Sequence, residues 1–209
     1  MNNKVLLVAM VLSIAFTSCS SDDDNTPTPE PVQAELVSNL SAPQTGGQGT
    51  GMDIGGDFTK FDFETGMETT SETDWDIAFR GTSIAINGGV ATGTIDEPAR
   101  TGDAGATVVT GTFESITTAE GLTFSQDSEA GFALAMNDGW YTYSGPPNHV
   151  ISPTPGRILV IKTTEGNYAK VEILSYYKDN PSEPDLTSES RYYTFKYVYN
   201  PNAGETSFE

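Results

Sequence analysis

Residues 157–177 read RILVIKTTEGNYAKVEILSYY, and this stretch decides the fold. Its first part, Arg157 to Thr164, is an apolar run rich in β-branched residues, which suits a strand in the interior of a sheet. Its last part, Tyr168 to Tyr177, alternates apolar and polar side chains, and Gly166-Asn167 forms the tight turn between them. The stretch therefore predicts a β-hairpin at the core of a sheet, with Ile161 facing the interior.

The remaining chain repeats this strand pattern. Helical periodicity is scarce, and 21 glycines accompany many Thr, Ser and Tyr residues, so the predicted fold class is all-β, a single antiparallel β-rich domain. We expect 75–80 and 83–87 to be successive antiparallel strands, 191–199 to close the sheet, and the Gly-rich stretch 47–51 to be a flexible loop. Further strands are predicted at 58–63 and 140–143.

The N-terminal residues have a different composition. Residues 1–18 hold a single Lys and an apolar run of about ten residues, and they end directly before Cys19, which is the pattern of a lipoprotein signal peptide. The run is shorter than the roughly 20 residues that a membrane-spanning helix needs. Cys19, the only cysteine, is therefore expected to carry a lipid anchor; the alternative is a buried structural cysteine. Acidic and proline-rich residues 19–34 predict a tether, and residues 35–209 the β domain.

Charge and side-chain content exclude several classes of function. The net charge of -19 argues against a nucleic-acid partner, because phosphate binding needs a cationic surface. One His and one Cys cannot build a Cys/His zinc site, and no nucleophile-elbow motif is present. The 29 acidic residues offer many chance carboxylate pairs, as in a glycosidase, but the sequence singles out none. We therefore predict a binding protein and not an enzyme; a cell-surface glycan hydrolase ranks below both binding hypotheses.

Four motifs in order carry a family resemblance. They are DWDIAFRG at 74–81, INGG at 86–89, GNYAKVE at 166–172 and YYTFKY at 192–197. Over roughly residues 57–199 the chain resembles the HmuY family, the lipid-anchored haem-binding proteins of Bacteroidetes. The resemblance implies an all-β fold with haem clamped between two projecting loops, two axial side chains on the iron, and delivery to a TonB-dependent outer-membrane receptor.

The acidic run after Cys19 indicates where in the cell the protein is located. Residues 20–25, SSDDDN, resemble the export tag of Bacteroidetes surface lipoproteins, which implies a lipid-anchored protein of the outer membrane, exposed at the cell surface. The alternative interpretation of this short run is a solvated acidic linker.

The iron ligands depart from those of the founding family member, which uses two histidines. This chain has only His149, so one subunit cannot supply two imidazoles. Because haem iron also accepts thioether sulfur, Met136 and His149 become the candidate metal ligands, with Tyr143 as a reserve donor in the same cofactor-binding site. The alternatives are that His149 is an exposed loop residue and that Met136 fills a gap in the core. The aromatic side chains of 140–143 either line a planar ligand or pack on the sheet.

Two binding functions follow. The first is a surface lipoprotein that binds haem and passes it to an uptake receptor. The alternative is a surface module of the same fold that holds another small hydrophobic ligand or a partner protein, without haem. A hemin titration separates them.

Overall fold

The structure is a computed structural model that describes residues 29–47, 49–134 and 139–209. The described residues contain no helix, and so none that is long and apolar enough to cross a membrane. Two of the predicted site residues, Cys19 and Met136, lie outside these ranges. The strands are β1 (Ala34–Ser41), β2 (Thr45–Gly47), β3 (Met52–Gly55), β4 (Thr59–Asp62), β5 (Met67–Thr69), β6 (Ile77–Arg80), β7 (Ser83–Ile86), β8 (Gly105–Thr110), β9 (Tyr141–Tyr143), β10 (Ile151–Pro153), β11 (Arg157–Lys162), β12 (Tyr168–Tyr177) and β13 (Ser190–Asn200).

Two antiparallel sheets form the body of the domain. The larger sheet has the order β1-β13-β12-β11-β8, and the smaller has the order β5-β4-β6-β7. Two-stranded pairs β2-β3 and β9-β10 complete the described strands. The predicted all-β, antiparallel fold is confirmed.

The predicted hairpin at 157–177 is also confirmed. Strands β11 and β12 pair from Leu159 opposite Val171 to Lys162 opposite Tyr168. In the turn, Gly166 adopts φ 88°, a left-handed conformation that favours glycine, and its N–H donates to the Thr163 carbonyl at 3.1 Å.

Strand β11 is apolar along its length because both of its faces are covered. Leu159 and Ile161 point into the space between the sheets, and both are almost completely buried. Ile158 and Val160 point the other way, into a second cluster built with Phe113. A strand buried on both faces has no solvent side for polar residues, so its alternation disappears.

Aromatic side chains join the two sheets. Phe79 of the smaller sheet lies with its ring centroid 4.7 Å from that of Tyr193 in β13, a strand of the larger sheet. Edge and tilted contacts of this kind add to the area that the rings bury. Two further pairs across the interface are Phe61–Phe195 at 5.5 Å and Phe63–Tyr197 at 5.4 Å.

One local prediction is wrong. Strand β13 does not close the sheet, because β1 pairs along its outer side from Ala34 opposite Val198 to Ser41 opposite Tyr192. Half of β1 is exposed and only Leu40 is buried, so its sequence lacks the alternation that would reveal it. In the Gly-rich stretch, the described residues 49–51 form the turn of the short hairpin β2-β3, in which Gly47 pairs with Met52.

Strand β13 gives the domain two distinct ends. It is 11 residues long, which corresponds to about 35 Å. At its Asn200 end, the Glu30 N–H donates to the Asn202 side chain at 2.8 Å, and that side chain donates back to the Glu30 carbonyl at 2.9 Å. At its Ser190 end, the opposing residue in β12 is Tyr177. The chain that precedes β1 is thus fixed at one end of the domain.

Asp76, from the DWDIAFRG motif, ties the two sheets together. One carboxylate oxygen accepts the Phe63 N–H at 3.0 Å, and the other accepts the N–H of Thr164, beside the β11-β12 turn, at 2.9 Å. Burial raises the pKa of Asp76 to about 6, against the lowering effect of these two backbone bonds.

This raised pKa predicts a pH dependence of stability. Because the folded state holds the proton more tightly than the unfolded chain, the stabilisation is complete below pH 3.8 and is lost as the pH rises through about 6. Between pH 4.5 and 7 we expect the free energy of unfolding to fall by about 2 kcal/mol more in the parent than in Asp76→Asn. Urea unfolding at both pH values measures this; an identical pH dependence in the two proteins would contradict it.

Candidate functional site

The hairpin β9-β10 carries the site residues that the sequence predicts within the described chain. Tyr143 pairs with Ile151, and the connecting loop is closed by two backbone bonds of 2.9 Å, from the Ser144 N–H to the Val150 carbonyl and from the His149 N–H to the Gly145 carbonyl. Ile151 also donates its N–H to the Tyr177 hydroxyl at 2.9 Å. This bond fixes the hairpin to the Ser190 end of the larger sheet, away from Glu30.

His149 and Tyr143 meet in this hairpin. The Tyr143 hydroxyl is hydrogen-bonded to Nδ1 of His149, and the two ring centroids lie 5.8 Å apart. His149 adopts φ 51° in the exposed loop, and Tyr143 is 52% exposed. The structure therefore brings together two of the three predicted iron donors, both reachable from solvent. The third predicted donor, Met136, lies outside the described residues.

The aromatic residues before Tyr143 have other roles. Trp140 is a core residue: it is 3% exposed, its indole N–H donates to the Thr82 carbonyl at 3.1 Å, and its ring packs 5.1 Å from that of Tyr193. Tyr141 is half-buried and lies against Trp140 at 4.8 Å. Trp140 therefore packs on the sheet, and it also lines one of the two cavities near the hairpin.

Two cavities flank the hairpin. One, of about 350 Å³, lies beneath Tyr141 and is bounded by Leu134 and by residues 82–84. The other, of about 480 Å³, lies between the loop residues Asn148 and Val150 and residues 183–187 of the β12-β13 connection. Both volumes fall in the range of small-molecule sites, and the second includes Leu186, which is 69% exposed.

One other cavity in the described chain offers a weaker site for iron. A cavity of about 640 Å³ between β4, β5 and residues 96–99 is lined by carboxylates, Lys60 and Phe58, with no imidazole, thioether or phenol among its lining residues. The described residues also contain no cluster of three or more His, Cys, Asp or Glu that could hold a bare metal ion. The donors at the β9-β10 hairpin thus mark the candidate site.

These features define a class: an all-β binding domain that presents an imidazole and a phenol at one end of its larger sheet. The family model of the HmuY protein matches residues 56–197, and the chain belongs to the HmuY family. This membership makes it a binding module of the HmuY type.

Solved structures share the fold at low sequence identity. The apo HmuY analog (TFO) of Tannerella forsythia is 12% identical, with a TM-score of 0.51 over 82% of this chain and 97% of that one. Apo PinO of Porphyromonas gingivitis is 12% identical, with a TM-score of 0.52 over 83% of this chain and all of that one (100%). The comparison with curated proteins found no match.

Proposed function

We propose that this chain is a non-enzymatic, lipid-anchored protein of the outer-membrane surface that binds haem and passes it to a TonB-dependent uptake receptor. The observation that carries the proposal is the HmuY family match over residues 56–197. The hairpin β9-β10 supports it, because it places His149 and Tyr143 together at an open end of the domain.

The donor set suits haem. Imidazole, thioether and phenolate are all known haem ligands, and His149, Met136 and Tyr143 supply one of each. Bound haem would supply an iron centre that accepts one or two axial side chains. Each of the two cavities near the hairpin would offer such a ligand an apolar side chain, Tyr141 in one and Leu186 in the other.

A hemin titration tests the proposal. The purified domain should bind hemin at a one-to-one ratio, with a shifted and sharpened Soret band. His149→Ala should lower the affinity about tenfold or more, because it removes the only imidazole. Met136→Ala should act mainly on the ferrous complex, since thioether sulfur prefers the softer reduced iron.

The outcomes separate the two binding functions. A free-hemin spectrum in both redox states would reject haem binding and favour a module for another hydrophobic ligand or a partner protein.

The two ends of the domain support the surface role. Glu30, near the end of the proposed tether at 19–34, is fixed at the Asn200 end of β13, and the hairpin lies at the Ser190 end. With a lipid on Cys19, the site would then point away from the membrane, where a receptor or free haem reaches it.

The anchor has its own test. Cys19→Ala should leave the protein without lipid and extractable from cells without detergent, because this residue is the only cysteine. Fractionation of cells that express the parent and the variant measures this. A variant that still partitions with membranes would place the anchor elsewhere.

A further inference from the structure

The hairpin β2-β3 carries an apolar face that the described residues leave open to solvent. Met52 and Ile54 are two positions apart in β3, so their side chains lie on one face of the strand, and they are 64% and 46% exposed. The neighbouring strand ends in Gly46-Gly47, which has no side chain to shield them. A Cβ atom on Gly46 would lie 1.9 Å from the Asp53 carbonyl oxygen, so the close approach of the two strands keeps this face bare.

A buried cation holds the base of this hairpin in place. Arg80 donates from Nη1 to the Gly56 carbonyl at 3.2 Å and to the Ile95 carbonyl, and from Nη2 to the Thr94 hydroxyl at 2.9 Å. The Asp96 carboxylate accepts the Gly56 N–H at 2.8 Å. Because the hairpin leaves the body of the domain from a fixed base, a partner that binds it loses little affinity to ordering of that backbone.

The hairpin lies at the same end of the domain as the candidate site. Gln44, directly before β2, accepts a hydrogen bond from the Arg191 side chain at 2.7 Å through its carbonyl, and the Ala42 N–H donates to the Arg191 carbonyl at 2.8 Å. Arg191 follows Ser190 at the start of β13, the end at which the hairpin β9-β10 is fixed. Glu30 is fixed at the opposite end, so the apolar face lies away from the proposed lipid anchor.

The surroundings of the apolar face are anionic. Residues 29–134 contain three basic side chains, and each is withdrawn from solvent: Arg80 is buried, Arg100 is 1% exposed, and Lys60 is 12% exposed and paired with Glu72 at 3.0 Å. Three exposed carboxylates lie in or next to the hairpin, those of Asp53, Asp57 and Asp96. A second copy of the chain would set these carboxylates against one another, whereas a basic surface complements them.

We propose that the hairpin β2-β3 is a docking surface for a protein that presents an apolar side chain flanked by Lys or Arg. Met52 and Ile54 make the apolar contact, and the surrounding carboxylates steer and orient the approach. The identity of the partner rests on the proposed function: it is the uptake receptor, which receives haem at the end of the domain where β9-β10 lies.

Growth on hemin tests the docking surface in cells. A strain that lacks its own copy of the gene receives the parent, Met52→Ser/Ile54→Ser or Leu36→Ser at equal surface abundance, with hemin as the only iron source. The double variant should bind hemin in vitro like the parent but need about tenfold more hemin for half-maximal growth, because central apolar contacts contribute most of the affinity of an interface. Leu36 in β1 is 63% exposed and lies outside the hairpin, so Leu36→Ser is the matched control and should grow like the parent. A double variant that grows like the parent would overturn the proposal.

A second experiment needs no haem. The ¹⁵N-labelled protein is titrated at low salt with a synthetic peptide of alternating Lys and Leu, and with the same peptide carrying Glu in place of Lys. The Lys peptide should shift the amide signals of residues 52–55 and bind the double variant about tenfold more weakly, whereas the Glu peptide should not bind. Shifts spread evenly over the acidic residues, or equal binding of the two peptides, would overturn the docking surface. A parent that binds the Lys peptide at the hairpin but binds no hemin would reject the proposed function and leave the docking surface standing.

Discussion

Replacing Ile161 by Asp is expected to abolish folding of the domain. Ile161 is completely buried in the centre of the larger sheet, where Ala169 of β12 and Ala106 of β8 lie opposite it. Neither neighbour can pair with a charge. An unpaired buried carboxylate costs several kcal/mol, which is a large part of the roughly 5–15 kcal/mol that stabilises a typical domain.

Circular dichroism and thermal unfolding measure this effect against a matched variant. Leu174→Asp introduces the same charge in β12, but at a side chain that is 37% exposed, so it should unfold close to the parent. An Ile161→Asp protein with a thermal midpoint near that of the parent would show that Ile161 does not face the interior.

The hairpin shows why much of this fold could be predicted from sequence. Strands β11 and β12 carry long, regular patterns, and the turn between them needs a left-handed residue that Gly166 supplies. The turn residue and the burial of the two strands favour the same structure there, so the sequence pattern alone predicts the hairpin.

Other elements depend on contacts that no local pattern records. Strand β8 (Gly105–Thr110) has β-branched residues but no regular alternation of apolar and polar side chains, and it is defined by its pairing with β11. Half of strand β1 is exposed, and the strand is held by its pairing with β13. In both cases the partner strand, distant in sequence, decides the structure.

The candidate site was predicted residue by residue but not as a pair. His149 and Tyr143 were chosen for their chemistry, and their contact depends on the pairing of Tyr143 with Ile151 across a tight loop. A sequence signal existed: two short apolar segments, 141–143 and 150–153, enclose a Pro- and Gly-containing loop, which is a hairpin pattern. That pattern would have placed positions 143 and 149 near each other.

A buried ion cluster around Arg100 was not predicted from sequence. Arg100 contacts both Glu97 and Asp127, and the three side chains are at most 2% exposed. Although burial opposes ionisation, hydrogen bonds from Thr92 and Thr94, together with the charge of Arg100, lower the pKa of Glu97. The cluster is hard to recognise in the sequence, since Arg100 and Asp127 are 27 positions apart.

Asp127 is the centre of that cluster. One of its carboxylate oxygens accepts the Ile86 N–H at 3.1 Å and the Arg100 side chain at 2.7 Å. The other accepts the Ala133 N–H at 2.8 Å. The carboxylate therefore joins β7, the loop that carries Arg100, and the residues that lead to position 136.

Asp127→Ala is expected to lower the free energy of unfolding by about 3–5 kcal/mol, because it leaves two buried N–H groups unpaired and removes a buried partner of Arg100. Urea unfolding measures the loss. Asp103→Ala serves as the control: Asp103 is also an acid in an ion pair, with Lys162, but its side chain is 79% exposed, so little change is expected. Equal effects of the two substitutions would contradict the central role of Asp127.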